Sequence, residues 1–162
     1  MKKQSAGILA YRFRQQVLEV FLVHPGGPFW QKKDRGVWSI PKGEFSDDEE
    51  PLAAARREFF EETGIRIEGP MLALSPLKQK SGKVVFAWAI EKDIEPGQVR
   101  SNTFETEWPP KSGRMRQFPE IDKAAWFDIP TARQKCNERQ AALLDELLLK
   151  LDLRPGREIS AP

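Results

Sequence analysis

The chain is short of the residues that most often carry chemistry or crosslinks. It holds a single cysteine, Cys136, and a single histidine, His24. One cysteine excludes an intrachain disulfide and fits a reducing compartment. With no evident base partner, Cys136 reads as a core or helix-surface residue rather than a nucleophile. Long apolar runs are missing too. None approaches the roughly 20 residues needed to span a bilayer, and Met1-Lys2-Lys3-Gln4-Ser5 leads into no apolar segment of signal-peptide type. A cytoplasmic protein with no membrane partner is expected. Charge of one sign is also lacking: 26 Lys and Arg stand against 24 Asp and Glu, for a net +2. Bulk electrostatics therefore gives no reason to expect nucleic acid as a partner.

The 162 residues suffice for one domain with a sizeable core, and 40% apolar with 31% charged residues is a soluble globular composition. A single domain is expected over residues 1–152, with 153–162 a frayed tail that has little to bury. Ser5 to Tyr11 and Val17 to His24 read as an antiparallel hairpin, the second run apolar enough to be a central strand. Val37 to Ile40 reads as a short strand. Met71 to Leu77 and Lys83 to Glu91 read as a further pair, with Trp88 in the core. A strand within Gln98 to Glu107 is followed by a long loop, Trp108 to Pro119, and a last strand, Lys123 to Asp128. Thr131 is the expected cap of a helix that runs to Leu151, with a step near Asn137, where Asn137 and Gln140 have capping-box spacing. Leu143, Leu144, Leu147, Leu148 and Leu151 make its apolar stripe. Strands with amphipathic helices between them indicate an α/β layered domain.

The most unusual stretch is Gly43 to Ile65. Pro51 suits a first helical turn and Gly64 a helix end. Between them Glu58, Glu61 and Glu62 stand at i, i+3 and i+4, within roughly a 100° arc of one face. Like charges so spaced repel, a cost most readily accepted where a hard divalent cation such as Mg²⁺ neutralises oxygen ligands. Leu52, Ala55 and Phe59 fall on a separate, core-facing stripe. Arg57 lies within reach of Glu61.

Gly43, Glu49, Arg57-Glu58-Phe59, Glu61-Glu62 and Gly64-Ile65, at these spacings, resemble the Nudix box with no departure at its fixed positions. The resemblance covers that segment only. It implies an α/β/α sandwich with a mixed sheet between helices, and hydrolysis of a nucleoside diphosphate linked to a group X. It implies Mg²⁺, or Mn²⁺, as cofactor, with Glu58 and Glu62 the principal metal ligands. Glu61 would share the metal or take a proton from water, Arg57 would orient Glu61 or Glu58, and the Gly43 carbonyl would complete the coordination. Glu49 and Gly64 would support the loop and the helix end. A general base can also lie outside the box. Glu120, followed six residues later by Trp126, resembles a pattern of diadenosine tetraphosphate hydrolases, with Glu105 and Glu107 as rivals.

Two flanking segments bear on substrate. The loop from Pro25 to Gly36 carries Phe29, Trp30, Lys32, Lys33 and Arg35. It reads either as a surface loop whose aromatics tuck onto the core, or as a wall of the site with an aromatic for a base and cations for phosphate. Lys111, Arg114 and Arg116 in the later loop invite the same pair of readings. Pro41-Lys42-Gly43 resembles the lead-in of hydrolases of dinucleoside and diphosphoinositol polyphosphates, with Lys42 set to contact a distal phosphate. The expectation is thus a small-molecule nucleotide or dinucleotide substrate, diadenosine tetraphosphate in type. A (d)NTP pyrophosphohydrolase is the alternative; RNA 5′-end processing and a non-catalytic nucleotide-binding module stand further off. Monomer and homodimer both remain open.

Overall fold

The computed structural model describes residues 3–152, so the expected tail at 153–162 lies outside them. In chain order the elements are β1 (Gln4–Arg14), β2 (Val17–Pro25), β3 (Lys42–Glu44), α1 (Pro51–Thr63), β4 (Leu72–Ala73), β5 (Leu77–Lys78) and β6 (Val84–Glu91). Then come β7 (Thr103–Glu107), β8 (Met115–Pro119), β9 (Ile121–Asp128), α2 (Ile129–Lys135) and α3 (Ala141–Lys150). β1 and β2 form the expected antiparallel hairpin, with Arg14 opposite Val17. Its two-residue turn, Gln15-Gln16, has positive φ at both positions, which matches the twist of the strands.

The main sheet runs β4-β6-β1-β2-β9, with β3 beside β1 and β5 beside β6. β1 and β6 are parallel and the other pairings antiparallel, so the sheet is mixed. Both faces of its centre are covered. Along β1 and β2, Ala6, Ile8, Ala10, Phe21 and Val23 pack with Ala54, Ala55 and Phe59 of α1. The alternate residues Leu9, Tyr11, Leu18, Val20 and Leu22 pack with Leu143, Leu144, Leu147 and Leu148 of α3. This period of two is why both strands read as nearly continuous apolar runs. An α/β/α sandwich results, as expected. Trp88 packs partly buried against the α1-side core, and Cys136 is buried on the other.

Several sequence expectations give way. Val37–Ile40 is no strand: it makes only single bridges, Ser39 to Val23 and Trp38 to Cys136. Met71–Leu77 is broken into β4 and β5, because Pro76 offers no N–H and the Ser75 amide turns to Glu146 instead. The long loop Trp108–Pro119 contains β8, which pairs with β7 as a separate two-stranded hairpin. Asp128, not Thr131, caps α2, accepting the Thr131 amide at 2.8 Å. The helix does step at Asn137, which caps a 3₁₀ turn through the Arg139 amide. The capping box does not form. The Gln140 side chain instead accepts from the Ile40 amide and donates to Ser39 Oγ, tying that turn to the segment before β3. In α1, Leu52 is only partly buried, and Ala54 and Thr63 complete the buried stripe.

The end of α1 is fixed from outside. Carbonyls there have no partner within the helix, and the Arg100 and Asn102 amides donate to those of Thr63 and Glu61 at 2.8 and 2.9 Å. Gly64 follows with φ 74, and a Cβ there would sit 2.8 Å from the Arg100 carbonyl oxygen. Gly64→Ala should therefore cost about 1–3 kcal/mol, measured as a lower urea midpoint with an unchanged m-value.

Candidate active site

Three segments converge on the outward face of α1. The helix presents the carboxylates, β3 lays its backbone against them, and the segment from Arg100 to Asn102 joins the helix end to Glu120. At the N-terminus Glu50 caps the helix, its carboxylate accepting from the Leu52 and Ala53 amides. An acid is favoured there by the exposed N–H groups and the helix dipole.

Arg57 organises the acids. Its Nε and Nη2 grip Glu49 as a fork, 2.8 Å to each oxygen, while Nη1 donates to Glu58 Oε1 at 2.8 Å and Glu61 Oε2 at 3.1 Å. One planar cation thus holds three carboxylates, a task suited to guanidinium. Its own proton is bound more firmly than an ordinary arginine's, first through the Glu49 hydrogen bonds. Arg57 was expected to orient Glu61 or Glu58; it touches both, and the fork to Glu49 explains what that residue supports.

Glu62 points the other way. Its Oε1 accepts the Lys42 amide at 3.2 Å, and burial pushes its carboxyl up to about 8. Burial also raises Glu58 and lowers the half-buried Lys42 ammonium, which faces Lys83 as well. Gly43 lies so close that a Cβ there would sit 1.9 Å from Glu58 Oε2. Only a residue without a side chain lets β3 and that carboxylate meet.

Hydrogen bonds among the described residues engage one oxygen each of Glu58, Glu61 and Glu62. The other oxygen of each is a hard donor, and with the nearby Gly43 backbone they make a set suited to Mg²⁺ or Mn²⁺. Among the described residues no group of three His, Cys, Asp or Glu side chains is already gathered to hold an ion. Arg57 holds Glu58 and Glu61, and the Lys42 amide holds Glu62.

Of the candidate bases outside the box, Glu120 is the one that reaches this group. Glu58 and Glu62 both feel its negative charge, and its own carboxyl is raised by burial and then by Glu61. Its backbone links the parts, since its amide donates to Asn102 and its carbonyl accepts from Gly26. Glu105 and Glu107 instead lie exposed on β7, where Glu107 accepts the Lys111 amide.

The flanking residues divide. Phe29 and Trp30 do not tuck into the core; they are 59% and 40% exposed. Phe29 meets Trp108 edge-on at 5.6 Å, and the Lys33 ammonium lies 5.2 Å over the Trp30 ring. The sequence does not single out Trp108; its only signal is an aromatic beside two prolines at the start of the long loop. Lys32, Arg35, Lys111, Arg114 and Arg116 are exposed. None of them hydrogen bonds or pairs with the α1 carboxylates among the described residues. Arg116 stands over Phe118 on β8 instead.

The family model of the NUDIX domain matches residues 1–147. An RNA pyrophosphohydrolase from Bartonella henselae is 62% identical over 152 residues, covering 80% of this chain and 78% of that protein. An octanoyltransferase from Myxococcus xanthus is 32% identical over 100 residues, 62% of this chain, and the chain spans only 25% of that protein's length. Among solved structures, a C. elegans Ap4A hydrolase binary complex shares the fold with a TM-score of 0.63 at 21% identity, over 93% of this chain and 98% of that one.

The raised Glu62 carboxyl sets a pH dependence of stability. An unfolded glutamate titrates at about 4.3 and the folded Glu62 at about 8. Its contribution to stability is therefore complete below the unfolded value and is lost as pH rises towards 8. Without metal, Glu62→Gln should flatten the fall in Tm between those values and melt several degrees above the parent at the alkaline end. A parental slope in the variant would contradict the burial of this charge.

Proposed function

The chain belongs to the NUDIX domain family, and from that premise we propose that it is a metal-dependent pyrophosphohydrolase. The bond cleaved is a phosphoanhydride in a nucleoside diphosphate linked to a further group. One observation carries this reading: an arginine-held cluster of carboxylates packed against Gly43, with burial opposing the charge of two of them. Glu58 and Glu62, with Glu61 and the Gly43 carbonyl, would hold Mg²⁺ or Mn²⁺. Bound there, the ion would neutralise phosphate charge and activate water for attack at phosphorus. Arg57 keeps Glu58 and Glu61 in fixed rotamers, and Glu49 keeps Arg57 in place. Glu120 or Glu61 takes the proton from the attacking water. Burial raises the Glu120 carboxyl, which makes it a better proton acceptor than an ordinary glutamate.

For substrate we favour a dinucleoside polyphosphate of the diadenosine tetraphosphate type. Phe29 and Trp30 would receive a base, with Lys42 near the carboxylates and Lys32, Lys33, Arg35, Arg114 and Arg116 around the polyphosphate. A second reading, a 5′-triphosphorylated RNA end, is favoured by the Bartonella henselae relative. The net charge of +2 does not weigh against it, because the exposed cations of the loop and of β8 form a local feature that a whole-chain sum conceals.

Product analysis over a panel separates these readings. Diadenosine tetraphosphate cut to ATP and AMP supports the first. Release of pyrophosphate from 5′-triphosphate RNA in preference to free nucleotides supports the second, and preference for a single (d)NTP supports a nucleotide pyrophosphatase. Tight binding with no hydrolysis of any of them would contradict an enzyme. With Mg²⁺ present, Glu62→Gln should fold and lose at least about a hundredfold in kcat. Glu120→Ala should lower kcat and remove the limb of the pH profile on which its carboxyl titrates; a parental profile would remove Glu120 as the base.

A further inference from the structure

His24 is fully buried, and the chemistry above makes no use of it. It is the penultimate residue of β2, with each ring nitrogen facing an oxygen: Nδ1 is 2.7 Å from Asp122 Oδ1 and Nε2 is 2.5 Å from the Lys33 carbonyl oxygen. A carbonyl and a carboxylate only accept. Both nitrogens must then donate, which is the hydrogen-bonding pattern of the imidazolium ion. A neutral ring that donates to Lys33 would turn its remaining lone pair on the Asp122 carboxylate.

The groups around the ring are few. Asp122 and Lys123 lie on β9, Lys123 being the cross-strand neighbour of His24. Asp34 approaches from the loop, but it is taken up by Trp38 Nε1 and by the Lys135 ammonium of α2. The Trp38 ring stands edge-on at 5.2 Å, and the Lys33 ammonium is over Trp30. Of these, only Asp122 is hydrogen bonded to the ring with an opposite charge.

What the ring holds is the aromatic loop. Gly26 donates to the Glu120 carbonyl at 2.8 Å, and the Lys33 carbonyl is held by His24. Between these anchors Trp30 donates to Gly27 and Lys33 to Trp30, so Phe29 and Trp30 ride on successive tight turns. Gly36 continues the attachment through the Gln134 carbonyl. The segment is mostly exposed, Phe29 and Trp30 included, with little apolar burial to order it, so these anchors decide its position.

We propose that His24 is a positioning residue: clamped as an imidazolium between Asp122 and the Lys33 carbonyl, it fixes the aromatic loop against the strand that follows Glu120 and sets the grip on nucleotide. The link to nucleotide rests on the proposed function; the clamp does not.

The chain has one histidine, so its imidazole ¹⁵N signals need no assignment. The folded wild-type protein should show protons on both ring nitrogens. Relative to intrinsic exchange, the Lys33 and Gly36 amides should be well protected. Asp122→Asn is the first variant. Its amide donates to Nδ1 while Nε2–H keeps the Lys33 carbonyl, so one ring N–H should remain and protection and KM for diadenosine tetraphosphate should stay near parental. Asp122→Ala leaves Nδ1 without that partner; it should lose protection at both amides and raise KM about tenfold with kcat little changed, the size of one lost charge-assisted hydrogen bond. His24→Phe should lose protection likewise, and if it does not fold, the two Asp122 variants decide. A wild-type ring with one N–H, or unchanged protection in Asp122→Ala, overturns the clamp. Protection that follows this pattern while KM does not supports the clamp and overturns Phe29 and Trp30 as the nucleotide platform.

Discussion

The site depends on one guanidinium. Arg57 takes Glu49 on its forked edge and Glu58 and Glu61 on its remaining nitrogen, so the loop before α1 and the helix face share a single cation. Without it, adjacent carboxylates on one helical turn would repel into scattered rotamers. With it they stand ordered, each with an oxygen left for something else. Glu62, beyond its reach, is managed by burial and by the Lys42 amide. The helix therefore carries two kinds of acid: a pair held by hydrogen bonds to Arg57, and one that is buried with only the Lys42 amide and the nearby Lys42 ammonium to offset its charge. Such a group gains most when a divalent cation arrives.

The fold delivers the rest by making β1 the centre of everything. It pairs with β2, β3 and β6, so the backbone of Lys42 and Gly43 is fixed by the same strand on which α1 packs. Helix and β3 cannot drift apart without opening the core around Ala6, Ile8 and Phe59. On the far side, β2 and β9 carry His24 and Asp122, and through Gly26 they reach Glu120. The chain of backbone hydrogen bonds Gly26–Glu120–Asn102–Glu61 ties the aromatic loop to the end of the acidic helix.

The acidic cluster was legible in sequence because chemistry dictates its residue types at fixed spacing, and Pro51 and Gly64 marked its helix for local reasons. The central strands were legible through their two-faced burial. β8 was not: Phe118 is its only partly buried residue, and its partner β7 stands apart from the main sheet, so no alternating pattern announced it. Thr131 and Asp128 both suit a cap, and only the observed hydrogen bond chooses between them. The Gln140 link to Ile40 and the His24–Asp122 pair join residues about a hundred positions apart. No local pattern encodes such a pairing, and His24 in particular read only as the chain's lone histidine.

The central claim is that the acids of α1, set against Gly43, form a cation site. Crystals equilibrated with Mn²⁺ and measured for anomalous scattering at the manganese edge test it most directly. A peak bounded by Glu58, Glu62 and the Gly43 backbone is the result this account predicts. Manganese that avoids this position while binding elsewhere, or no peak at all, would contradict it.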